Sequence, residues 1–257
     1  MLSFKHITDT DAAVGLAGDK RKGLRYGLSE NFPFKTKLTL FQNNGAKTAE
    51  AKGKDWSATV VDLSASGANL KLSLAAVAFQ REVCRLKISR GDYLIEIPAT
   101  VAHYRCGAQF SQCGIAFNFP NAEVQEAYLQ LLEPIIIGNS LIPMQAEQDT
   151  PGRHKEQFGN GSSTSLSVWR DAPGGQITGF DLRMHRFVVR WNEGATELDV
   201  AGLGDADAAS ENPAALPLVP LTETQHEDLR WLFCLAVPNL SESVPLDVRN
   251  FLAALVA

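Results

Sequence analysis

Phe34, Thr36, Leu38 and Leu40 alternate with Lys35, Lys37, Thr39 and Phe41. A period of two puts one set on a buried face and the other toward solvent, which is the pattern of a half-buried strand. It recurs where Cys84, Leu86 and Ile88 alternate with Arg85, Lys87 and Ser89, and Leu70 and Leu72 resume it after a turn. The run 59–64 opens with β-branched residues and reads as another strand. Further strands are expected at Tyr93 to Ile97, at Ala99 to Tyr104, and at Gly114 to Phe117, with Phe119 continuing the inward face. The chain reads as mainly β, and many short strands separated by turns are what a closed antiparallel barrel needs, since closure removes vulnerable edges.

A helix is expected next. Asn121 can cap a segment in which Val124, Tyr128, Leu131, Leu132 and Ile135 recur at helical spacing, and Pro134 is expected to end or kink it. The apolar stripe reads as a barrel-packing or dimerising surface, so a homo-oligomer is among the expected assemblies.

Two polar signatures stand out against this scaffold. Arg21-Lys22-Gly23-Leu24-Arg25 is an RxxxR, preceded by Lys20, and Asp62-Leu63-Ser64-Ala65-Ser66-Gly67 is a DxSxxG. Residues four apart face nearly the same way in a helix or a strand, so Arg21 and Arg25 can meet one ligand. A guanidinium is planar and permanently charged, and suits a phosphate or the O6/N7 edge of guanine, where a bidentate contact contributes about 1–3 kcal/mol. Lys20 and Lys22 add charge without the fork.

Asp62 and Ser64, two apart on a strand, are expected on one face, where a carboxylate and a hydroxyl can accept from N–H donors of a guanine. Val61 and Leu63 are expected on the other. Gly67 is expected to turn the chain through a backbone conformation that other residues avoid. The plainer alternative is that Asp62 and Ser64 are turn formers at a strand end. RxxxR also recurs at Arg81/Arg85 and Arg186/Arg190, which read as solvated faces of strands.

In their order and separation, the two signatures resemble the ligand-binding marks of PilZ domains, and the likeness extends over roughly residues 20 to 140, including the late glycine-aliphatic-x-phenylalanine strand Gly114-Ile115-Ala116-Phe117. The resemblance implies a six-stranded antiparallel barrel followed by a helix. It implies a bacterial receptor for the second messenger cyclic di-GMP, bound by Arg21, Arg25, Asp62, Ser64 and Gly67 with Lys20 and Lys22 nearby, in which the motif-bearing segment becomes ordered around the ligand. Cyclic di-GMP is then a ligand, no cofactor is expected, and the chain is a sensor and not an enzyme. An effector protein is the expected partner, in motility, exopolysaccharide or biofilm control. The alternative is a ligand-independent PilZ-like adaptor, which the retained motif residues count against. The stretch Asn43 to Lys54 departs from the family as a long, mobile surface loop.

The chain has 257 residues, 45% of them hydrophobic, enough for two modest domains. The expected division is an N-terminal segment 1–19, a barrel 20–142, a linker 143–165 and an α+β module 166–257. The linker is polar, lacks periodicity and is rich in Gly, Ser, Gln and Pro. Charge follows the same division: residues 1–145 hold 16 Lys and Arg against 13 Asp and Glu, and residues 146–257 hold 8 against 16. The mild positive balance accompanies the proposed anion site, and the acidic second half argues against bulk nucleic-acid binding.

No run is apolar and long enough for stable membrane insertion, because Leu131 to Met144 is broken by Glu133, Pro134 and Pro143. Residues 1–18 contain Asp9 and Asp11 and no hydrophobic block, so a cytoplasmic location is expected. Cys84, Cys106, Cys113 and Cys234 fit reduced thiols there. His103, Cys106 and Cys113 lack a fourth ligand and read as ordinary strand and turn residues, with no metal site.

The second half reads as a β-meander over 166–170, 176–182, 185–191 and 197–201, followed by two helices. The first starts near Thr222, where Thr222 and Gln225 have the spacing of a capping box, and carries Leu229, Leu232, Phe233 and Ala236 on one side. The second spans about Pro245 to Val256. His185 and His226 sit in no acid-base motif and read as packing or surface residues. Trp169, Trp191 and Trp231 read as core anchors.

Overall fold

The computed structural model describes residues 24–29, 32–41, 53–145, 154–161, 164–203 and 218–255. The first half is a barrel of β2 (Lys35–Leu40), β3 (Lys54–Ser64), β4 (Gly67–Leu72), β5 (Val83–Arg90), β6 (Tyr93–Cys106) and β7 (Ser111–Phe117). Its order is β3-β2-β5-β6-β7-β4, and β4 pairs back to β3, so six antiparallel strands close the ring. A two-residue strand, β1 (Tyr26–Gly27), adds to the outside of β3. Alternation places Leu38, Leu63, Leu70, Leu86, Ile88 and Ile97 inside with almost no exposure.

Two prolines lie inside elements that continue through them. The strands expected on either side of Pro98 are one strand, β6. Pro98 lacks an N–H, but its carbonyl still accepts from the Asn118 amide at 2.8 Å, so the chain passes through it without a break. Helix α1 (Ala122–Asn139) likewise continues past Pro134. The carbonyl that proline deprives of a partner belongs to Gln130, an exposed residue, while Ile135 and Ile137 beyond the proline are buried. Asn121 caps this helix as expected, accepting from the Val124 amide at 2.9 Å.

The second half is an open antiparallel sheet in chain order: β8 (Ile142–Pro143), β9 (His154–Gly159), β10 (Thr164–Arg170), β11 (Ile177–Met184), β12 (Phe187–Asn192), β13 (Asp199–Leu203) and β14 (Leu218–Val219). Strand β9 falls within the stretch expected as a linker. Phe158 is buried in the second core and Glu156 meets Arg170 at 3.1 Å, so contacts to β10 hold a segment with little periodicity of its own. Strand β3 likewise begins at Lys54, the last residue of the expected loop, whose residues 43–52 lie outside the described residues.

Helix α2 (Glu223–Ala236) begins with the expected capping box of Thr222 and Gln225. A short helical turn, Val237–Asn239, follows, and then α3 (Leu246–Ala254). Both helices cover the sheet: Leu229, Leu232, Phe233, Val248 and Leu252 join Phe180, Leu182 and Val189 in one core. The tryptophans divide. Trp231 packs on Phe34 and Tyr93 of the barrel, with ring centroids 5.6 and 5.0 Å away, and Trp191 packs on Phe251 at 5.1 Å. Trp169 is not a core anchor, because strand alternation leaves it on the opposite side from Val168 and Arg170, with Lys155 5.9 Å above its ring. No helix among the described residues is long and apolar enough to cross a membrane.

Candidate functional site

Strands β3 and β4 form a hairpin whose turn carries the DxSxxG residues, and β1 brings the end of RxxxR alongside. Tyr26 pairs with Leu63 and Gly27 with Asp62. The Leu28 amide continues the ladder to the Val61 carbonyl at 3.0 Å. A register shift between Val60 and Asp62 marks a bulge, which strengthens local twist and re-aims side chains. Leu63 is consequently in the core, while Asp62 stands at the barrel surface.

The Arg25 guanidinium donates from Nη1 to Asp62 Oδ1 at 2.5 Å. Asn69 of β4, directly across the ladder from Asp62, donates from Nδ2 to its other oxygen at 3.2 Å. The carboxylate is thus held at both oxygens while a fifth of the aspartate side chain stays open to solvent. Asn69 Oδ1 is buried without a hydrogen-bond partner in the structure. Sequence reasoning passed over Asn69; the signal was its place two residues beyond Gly67, which the hairpin folds back onto Asp62.

Ser64 differs from Asp62 in exposure. It is buried, and its hydroxyl donates to the Gly67 carbonyl at 3.2 Å across the turn. Its own carbonyl accepts from the phenol of Tyr128 on α1 at 2.7 Å. Burial pushes that phenol far above its ordinary pKa, with Arg25 opposing and Asp62 adding, so it remains a neutral donor. Gly67 has no left-handed backbone, contrary to the expectation. Glycine is needed there because a Cβ would collide with the Ile115 carbonyl oxygen on β7. His103 has a similar relation to Gly114: its imidazole occupies the space that a Cβ on that glycine would take.

Arg25, Asp62, Ser64 and Gly67 therefore meet at one end of the barrel. Lys20, Arg21 and Lys22 lie outside the described residues. One arginine of each other RxxxR pair is engaged elsewhere: Arg85 meets Glu96 at 3.4 Å and Arg190 meets Asp181 at 2.7 Å. Among the described residues, no group of three or more His, Cys, Asp or Glu converges as a metal site. The four cysteines are free thiols. His185, in the β11–β12 turn with a φ of 53°, reaches Glu133 of α1 at 3.1 Å.

Chemically, the site offers a forked cation, a carboxylate and a buried amide oxygen beside one another. It can take a ligand that combines negative charge with a planar edge of N–H donors.

No curated protein matches the chain. Among solved structures, it is similar to the PilZ domain of CeSA from a cellulose-synthesizing bacterium, at 16% identity and a TM-score of 0.29, over 39% of this chain and 92% of that one. It is also similar to the MrkH–c-di-GMP complex of K. pneumonia, at 14% identity and 0.33, over 47% of this chain and 53% of that one. A third is the PilZ domain of YcgR from Escherichia coli with c-di-GMP, at 15% identity and 0.30, over 42% of this chain and 85% of that one. The family profile described as PilZ domain matches residues 19–133, a span that contains both signatures, the six-stranded barrel and most of α1; this part of the chain is a PilZ domain.

Proposed function

We propose that the chain is a cyclic di-GMP receptor whose ligand is taken between the Arg21–Arg25 segment and the barrel end bearing Asp62, Ser64 and Gly67. The contact between Arg25 and Asp62 carries this reading, because it brings the two separate signatures to one place. PilZ domains are a ligand-binding family, and two of the similar solved structures are described with c-di-GMP. In this reading Arg21 and Arg25 engage phosphate and guanine edges, Lys20 and Lys22 add long-range attraction, and Asp62 accepts from guanine N–H groups. Arg25 exchanges part of its contact with Asp62 for the ligand, so the ligand gains from a guanidinium already in place.

Residues 20–142 act as the sensor and residues 166–257 as the output to an effector protein, within bacterial motility, exopolysaccharide or biofilm control. The protein signals by conformation and not by turnover. Calorimetric titration of the full chain with cyclic di-GMP tests the reading, with GTP, cyclic di-AMP and the R21A/R25A protein as controls. Selective binding that the double variant lacks supports it. Absence of binding at high micromolar ligand overturns it in favour of a ligand-independent adaptor.

A further inference from the structure

The strand that delivers Arg25 has only two residues, Tyr26 and Gly27, and pairs with β3 along one edge. Its other side is held by the end of α1 and by the helical turn after α2. The Gly27 carbonyl accepts from Asn139 Nδ2 at 3.2 Å, and the Ser29 amide donates to Asn239 Oδ1 at 2.9 Å, across 210 residues of chain. The two asparagines are also joined to each other, since Asn139 Nδ2 donates to the Asn239 carbonyl at 3.1 Å. Asn239 is buried, and its Nδ2 donates to the Leu235 carbonyl at 2.7 Å, so both ends of its amide are engaged.

The surrounding backbone leaves little room for adjustment. A Cβ at Gly138 would collide with the Ala236 carbonyl, and the Ser241 amide donates to the Gly138 carbonyl at 2.9 Å. Three elements distant in sequence therefore meet through backbone contacts and two amide side chains, and the segment they fix begins two residues after Arg25.

A short edge strand loses much of its order when one side is released, because few hydrogen bonds offset its backbone entropy. We propose that Asn239, with Asn139, is a positioning residue of the ligand site. The C-terminal half sets where Arg25 stands against Asp62, and ligand binding in turn tightens the turn after α2. This rests on the receptor reading above. The coupling is reciprocal: whatever lowers the cost of holding β1 raises ligand affinity, and a ligand that holds Arg25 stabilises the clasp.

The experiment combines cyclic di-GMP calorimetry with hydrogen exchange on the full-length protein. For Asn239→Ala, with cooperative melting retained, affinity is expected to fall about tenfold, the order of one part-buried hydrogen bond lost between the Ser29 amide and Asn239. Asn139→Ala is expected to move in the same direction. Asn239→Asp keeps an acceptor for the Ser29 amide and is expected to recover affinity relative to Asn239→Ala. In the wild-type protein, ligand is expected to slow exchange in residues 24–29 and also in residues 235–241.

Wild-type affinity in a folded Asn239→Ala protein, or a lowered melting temperature with unchanged affinity, overturns the proposal while leaving the receptor reading standing. Ligand protection that stops at the barrel does the same, and decides alone if Asn239→Ala does not fold. A wild-type protein showing neither binding heat nor protection overturns both.

Discussion

The phenol of Tyr128 holds the carbonyl of Ser64 at 2.7 Å, so the β3–β4 turn of the barrel is secured from beneath by helix α1. Tyr128→Phe keeps the ring packed against Phe117 and Phe119 but leaves the Ser64 carbonyl without this donor. Stability is expected to fall by about 1–2 kcal/mol, measurable as a lower urea midpoint at unchanged slope. A midpoint equal to wild type would mean that the bond contributes nothing net.

On the segment beside that turn, Arg25→Ala is expected to abolish cyclic di-GMP binding at micromolar ligand without unfolding the barrel, since the side chain is part-exposed and outside the core. Asp62→Ala is expected to weaken binding and narrow the preference over cyclic di-AMP, because the guanine N–H groups lose their acceptor. Titrations of both variants and of wild type at two salt concentrations check this, and wild-type affinity is expected to fall as salt rises. An Asp62→Ala protein that discriminates the two ligands as the parent does would remove Asp62 from the recognition role.

Thiol reactivity should separate the cysteines of the barrel. Cys84 and Cys113 are buried, and burial pushes both thiols up to about 12, with the neighbouring Cys113 and Glu82 adding for Cys84 and Glu82 adding for Cys113. Cys106 is exposed. Iodoacetamide at neutral pH is expected to modify Cys106 in the folded protein and to reach Cys84 and Cys113 only after denaturation, as peptide mass analysis would report.

The second half carries its own acid sensitivity. Arg170 is buried on β10 and meets both Glu156 and Asp247. The hydrogen bond from Arg170 holds the Asp247 carboxyl below its ordinary pKa, against a smaller opposing effect of burial. A carboxyl lowered by folding contributes stability that is complete above its unfolded pKa and is lost as pH falls through its folded value. Asp247→Asn is therefore expected to flatten the pH dependence of unfolding below about pH 4, with only a small change at neutral pH because Asp247 is more than half exposed. Arg170→Met strands Glu156 and is expected to cost about 3 kcal/mol by denaturant titration.

What could be read beforehand follows from where the controlling information lies. Barrel strands and helix caps are local patterns, so the alternation around Leu38 and Leu86, the Asn121 cap and the Thr222 capping box were all visible in a few consecutive residues. Helix α1 does not end at Pro134, and the strands read on either side of Pro98 are one, because local preference was overruled by partners elsewhere: burial of Ile135 and Ile137 in one case, ladder pairing in the other. Strand β9 has one large buried apolar residue, Phe158, and takes its order from β10. Of the candidate site, Arg25, Asp62, Ser64 and Gly67 were named through spacing and lie together at one end of the barrel, while Lys20, Arg21 and Lys22 lie outside the described residues. Asn69 required the hairpin register, and Asn139 and Asn239 required a contact across 100 residues that no window of sequence contains.

Helix α1 sends Ile135 into the barrel core and Ile137 into the core of the open sheet. Side chains two positions apart on one rigid rod thus belong to different halves of the molecule. Neither half can be removed without exposing the apolar surface of the other, and cutting the chain after the barrel strands would take Tyr128, Leu131, Leu132 and Ile135 of α1 away from the barrel core. Heat or denaturant should therefore melt both halves in a single step, making the α1 rod the shaft through which damage in either half is felt by its neighbour.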